Sequence, residues 1–149
     1  FFTARMVAGA AARLGTMKRT NQIAALQTMG IRPADYLLTP LLWGMVVAMP
    51  LVTLAGVVAA SAAGFLAARM VSGFTTVGWA TAWFASVDPR DVLVVLAKTT
   101  LSGYLIAVTC YHLGTGPKRS GAEVGEAVNR AIVVGMALVL AVHAGLTFL

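Results

Sequence analysis

A chain of 149 residues in which 59% are hydrophobic and only 11% charged, with a mean hydropathy of +0.86, lies far outside the range of soluble domains and predicts an all-α integral membrane protein. The net charge of +6 does not indicate nucleic acid, because the basic residues fall at the edges of apolar runs and are not interleaved with aromatics. The single cysteine, Cys110, excludes an intrachain disulfide, and its apolar setting predicts a small buried hydrophobe.

Residues 1–15 read as the end of a membrane helix. Ala4, Ala8 and Ala12 recur at spacing four, and small residues at that spacing allow close helix approach in lipid. Arg5 within this stretch either faces a polar cavity or snorkels to the headgroups. The start on Phe1-Phe2, without Met and in mid-helix pattern, predicts a piece lacking the first membrane helices. No signal-peptide pattern is present.

Residues 20–30 predict a short amphipathic helix. Ile23, Leu26 and Met29 share one side, while Asn21, Gln22 and Gln27 occupy the other. Thr20 or Asn21 is placed to cap its start and Gly30 to stop it in the left-handed region. Pro33 then suits the first turn of a new helix. From periodicity alone this is a surface helix between two membrane spans.

Residues 41–68 form an uncharged run of about 42 Å as a straight helix, longer than the roughly 30 Å hydrocarbon slab, so the span must tilt, break or emerge. Pro50 is the natural kink. Residues 69–91 form a connector in which Trp79 and Trp83, at spacing four, suit a helix at the membrane boundary or a loop folded over the span tops. Asp88-Pro89-Arg90-Asp91 announces the next helix start. The span 92–113 is interrupted only by Lys98, which either snorkels to the interface or lines a lipid cavity. Residues 114–126 read as a polar loop whose GTGPKRS lacks phosphate-loop spacing, and 127–149 as the last span. Three full transmembrane helices therefore accompany the end of an N-terminal one.

Lysine and arginine assign the sides. Arg5, Arg13, Lys18, Arg19, Arg32, Lys118 and Arg119 fall on one face, Arg69 and Arg90 on the other. The positive-inside rule places the 20–30 helix and the 114–126 loop in the cytoplasm and the 69–91 connector outside. Chemistry is sparse: Cys110, His112 and His143 form no metal-ligand pattern. The acids Asp35, Asp88, Asp91, Glu123 and Glu126 lie at span edges, which argues against an enzyme and against any metal or cofactor.

LGTMKRTNQIAALQTMGIRPADYLLTP, residues 14–40, resembles the signature of the MlaE/YrbE family of ABC-transporter permeases. The segments DVLVVLAKTTLSGYLIAVTCYHLG and GAEVGEAVNRAIVV resemble that family's last two spans and the loop between them. The resemblance covers nearly the whole chain and implies a bacterial inner-membrane, multi-pass subunit. Such a subunit moves lipid, whether phospholipid, fatty acid or sterol, using ATP hydrolysed by a separate cytoplasmic ABC ATPase. It also implies a second permease subunit, in a homo- or heterodimer, and a Mce-domain lipid-binding protein outside. The 20–30 segment becomes the coupling helix, with Asn21, Gln22, Ile23, Leu26, Gln27 and Met29 as ATPase-coupling residues, and Arg5 and Lys98 become candidates for a lipid headgroup or cavity. Arg13, Asn21, Ala25 and Gln27 stand where the family pattern is acidic. A poorly coupled assembly subunit paired with a sister permease is therefore an alternative, as is an ion-gradient-driven secondary transporter.

Overall fold

The computed structural model describes residues 2–73 and 75–147, and every element among them is helical. Helix α1 (Phe2–Arg19) leads into the short α2 (Gln22–Thr28). A five-residue π-helical segment, Ala34–Leu38, then runs directly into α3 (Thr39–Ser72). Helix α4 (Thr76–Ser86) connects α3 to α5 (Pro89–Thr115), and α6 (Gly121–Gly145) follows a tight loop. Among the described residues, three segments are long and apolar enough to cross a membrane: Ala34–Val71, Pro89–Thr115 and Gly121–Gly145. The chain is thus an all-α, multi-pass membrane protein. The expected last residues of the final span, 148 and 149, and Phe1 lie outside the described residues.

Small residues set the packing. The buried face of α5 carries Thr99, Gly103, Ile106, Ala107, Cys110 and Gly114, a helical stripe of mostly small side chains. A Cβ added to Gly103 would lie 2.6 Å from the Met45 carbonyl oxygen, so α3 and α5 approach backbone to backbone at that point. Likewise Gly114 receives Leu14 of α1, and Gly135 of α6 receives Val7. Helix α1 lies against both α5 and α6, and α5 packs in turn on α3. The core is Val7, Ala11, Met45, Met49, Ile106, Ala107, Cys110 and Ala131. Cys110 is fully buried, as its apolar setting predicts, with its Sγ 3.9 Å from the Val7 carbonyl oxygen.

The structure narrows or revises several local expectations. The buried face of α1 is Val7, Ala11, Leu14 and Gly15, with Ala4, Ala8 and Ala12 only half-buried at its flank. Pro50 lies inside α3, and a departure from α geometry falls earlier, at Ala34–Leu38, just after Pro33. The 69–91 connector contains the helical alternative, α4, in which Trp79 and Trp83 stack at 6.4 Å and Trp79 meets Phe65 of α3 at 5.5 Å. The polar loop expected over 114–126 is shorter, because α5 continues to Thr115 and α6 begins at Gly121. The cause is a cap in Ser120-Gly-Ala-Glu123. Ser120 Oγ accepts the Glu123 N–H (3.3 Å), and the Glu123 carboxylate accepts the Arg119 N–H (2.7 Å).

Candidate functional site

The segment that joins α1 to α3 is built by backbone chemistry at two corners. At the first, Thr20 Oγ1 donates to the Thr16 carbonyl and closes α1 (2.9 Å). Asn21 then turns the chain through the left-handed region at φ 58°, and its side chain makes no capping bond. The expected side-chain cap is thus replaced by a conformational one: asparagine tolerates this region better than most side chains. At the second corner Gly30 adopts φ 76°, its N–H bonds the Gln27 carbonyl (3.0 Å), and Ile31 N–H bonds the Leu26 carbonyl (3.0 Å). These two bonds form a Schellman stop and satisfy carbonyls that the end of α2 would leave open.

Between the corners, α2 packs on α1. Ile23 is its buried residue, at 3% exposure, and it fixes α2 to the bundle. Leu26 is half-buried, and Asn21, Gln22, Gln27 and Met29 are exposed. The six residues grouped by sequence therefore divide into an inward anchor, an intermediate position and a solvent-facing set. No acidic side chain lies on α2. Immediately after it, Arg32 Nε pairs with Asp35 at 2.7 Å across one turn.

The other two candidates are not part of this region. Arg5 is exposed on α1. Lys98 Nζ donates to Thr147 Oγ1 (3.1 Å), and Thr147 in turn donates to the His143 carbonyl, so the lysine ties α5 to the turn that ends α6. Among the described residues no group of three or more His, Cys, Asp or Glu side chains is placed to hold a metal ion.

A residue not singled out by sequence reasoning braces the α2 end of the bundle. Lys118 Nζ donates to the carbonyls of Leu113 (2.8 Å), Gly114 (2.7 Å) and Gly116 (3.2 Å), covering the open end of α5 with a cation where the helix dipole favours one. Burial, followed by the nearby charge of Lys18, pushes its pKa below the usual lysine value, while Glu123 opposes that shift. Its side chain also lies beside Gly15 of α1, where an added Cβ would come within 2.9 Å of Val124 and 3.5 Å of Lys118. The available signal was a lysine within three residues of a helix end rich in Gly.

Known proteins place this arrangement. The model of the permease MlaE family matches residues 1–149. The chain is 29% identical over 136 residues to a probable ABC transporter permease protein of Rickettsia prowazekii, a match that covers 91% of this chain and 52% of the relative. It is 30% identical over 136 residues to the corresponding Rickettsia typhi protein, with the same coverage. The chloroplastic protein TRIGALACTOSYLDIACYLGLYCEROL 1 of Arabidopsis thaliana is 28% identical over 132 residues, covering 89% of this chain and 38% of that protein. The chain thus spans about half the length of the rickettsial relatives it matches. Matched along all of its residues by one family, and built as membrane-length helices around a short exposed one, this chain belongs to the MlaE permease family.

Proposed function

We propose that this chain forms the part of a lipid-transporting ABC permease that receives work from a cytoplasmic ATPase, and that α2 is the element on which the ATPase docks. The observation that carries the proposal is the division of α2. Ile23 anchors it to α1, which packs on α5 and α6, while Gln22, Gln27 and Met29 project outward. A helix held by one buried residue and stopped at both ends by backbone turns moves with the bundle, so a push on its outer face is passed to α1. The substrate in this reading is a membrane lipid, with a second permease subunit and an external Mce-domain protein as partners. The location is the bacterial inner membrane, with α2 and the 116–120 loop cytoplasmic and α4 outside.

The test is capture of the ATPase by the full-length tagged protein. Leu26→Asp places a carboxylate at the half-buried edge of the docking face, where leaving a charge unpaired costs several kcal/mol, so ATPase recovery should fall about tenfold or more. Undiminished recovery with a correctly folded variant would show that α2 is not the docking element.

A second reading, a poorly coupled assembly subunit, is favoured by the absence of acid on α2. It is distinguished in the same capture, because such a subunit would retain a sister permease while holding little ATPase even before mutation. The described acids stand at helix starts or, for Asp35, beside Arg32, so no acid in mid-span favours an ion-driven transporter.

A further inference from the structure

Between α1 and the start of α3 runs a groove of about 670 Å³, a volume within the range that holds a small ligand or part of a larger one. Its walls are mostly apolar, with Met6, Gly9 and Ala10 on one side and Leu41 and Met45 on the other. One cation interrupts them. Arg13 lines the groove and is exposed. Among the described residues, the ion pairs Arg32–Asp35 and Glu126–Arg130 leave Arg13 out. Tyr36, also exposed, lines the same groove.

The order of these groups along α1 matches an amphiphile. From Arg13 back to Met6 is about 10 Å of helix whose groove-facing residues are apolar or lack a side chain. In the other direction Lys18 and Arg19 follow within two turns, marking the membrane surface. An arginine at that depth holds a negative charge at headgroup level while the apolar length behind it accepts a hydrocarbon chain. A zwitterionic headgroup brings its own cation close to Arg13 and is attracted less. A soluble anion has nothing to fill the apolar part.

We infer that this groove is a binding site for one anionic phospholipid of the leaflet next to α2, with its phosphate at Arg13 and an acyl chain against Met6, Gly9, Ala10 and Met45. The site is specific to the charge this chain carries at position 13, and it adds a headgroup preference to the lipid-permease reading on which it partly rests.

The test uses the full-length protein in nanodiscs of mixed phosphatidylglycerol and phosphatidylcholine, with each lipid in turn carrying a photoactivatable diazirine on its acyl chain. Cross-links from phosphatidylglycerol should map to residues 6–17 and 36–45 and exceed those from phosphatidylcholine about fivefold, the size of one arginine's attraction to an anionic membrane lipid. Arg13→Gln should abolish the preference and Arg13→Lys should keep it. Equal labelling by both lipids, or a preference that survives Arg13→Gln, would overturn the headgroup assignment. Absence of cross-links in the groove would overturn the site and mean that protein covers it. No ATPase or ATP is present, so the two proposals fail separately. Lipid in the groove with no ATPase docking would sink only the ATPase-docking proposal, and docking without groove lipid would sink only this site.

Discussion

At the α2 end of the bundle, α1, α5 and the start of α3 hold one another through glycine contacts, and the chain turns are pinned by Gly30, Asn21 and the Lys118 cap. At the α4 end the same kinds of apolar residue are held far more loosely. From Leu51 to Val71 no residue of α3 is buried, and Val57, Val58, Leu66, Met70 and Val71 are all exposed. Helix α4 buries none of its residues and touches α3 through the edge-on pair Phe65–Trp79. Both halves of α3 are apolar yet differ in what covers them. Apolar character in a membrane chain therefore marks what must avoid water, whereas small residues facing a neighbour's backbone mark what packs within the chain. The exposed half of α3 needs acyl chains or another subunit around it.

This contrast is sharpest at two glycines of neighbouring helices. Gly103→Leu would drive a side chain against the Met45 backbone, which cannot swing aside, and should destabilise the full-length protein by about 2–3 kcal/mol. Gly64→Leu, on the loosely held half where an added Cβ meets nothing within 4 Å, should stay within about 0.5 kcal/mol of the parent. Thermal unfolding in detergent compares them. Equal losses at both positions would mean that the two halves of α3 are held alike.

A smaller effect belongs to Lys118. Lys118→Met keeps most of the aliphatic stem beside Gly15 and removes three hydrogen bonds from the end of α5. With the side chain only partly buried, the expected loss is about 1 kcal/mol in the same melt. No measurable change would show that water replaces the ammonium without cost and that the end of α5 owes nothing to this cap.

Much of this fold was legible in the sequence where local chemistry decides. The three long apolar segments, the Gly30 stop, and the Asp88 cap, whose carboxylate accepts the Arg90 N–H at 3.1 Å, depend on residues within one turn of one another. What was missed depends on neighbours distant in the chain. The stripe Ala4, Ala8, Ala12 is as regular as the buried one, and only the arrival of Gly114 and Gly135 selects the face of Val7, Ala11 and Leu14. Ile23, Leu26 and Met29 share a spacing, but packing on α1 buries the first and leaves the last 65% exposed. The early start of α6 was readable, since Ser120 and Glu123 have capping-box spacing, but the polar run around them reads equally as loop. At the site, the position and exposed polar face of α2 were legible. The inward anchor and the Lys118 brace were not, because both belong to contacts between helices.

The central claim is that the outward face of α2 meets a cytoplasmic ATPase, and the most direct measurement is site-specific cross-linking in membranes. In a Cys110→Ala background, cysteine replaces Gln27 on the exposed face of α2 or, as a control, Gly64 on the loosely held half of α3. Gln27→Cys should cross-link to the ATPase with a short thiol-reactive linker, and Gly64→Cys should not. An ATPase that co-purifies with both variants yet cross-links to neither, or only to Gly64→Cys, would contradict the account.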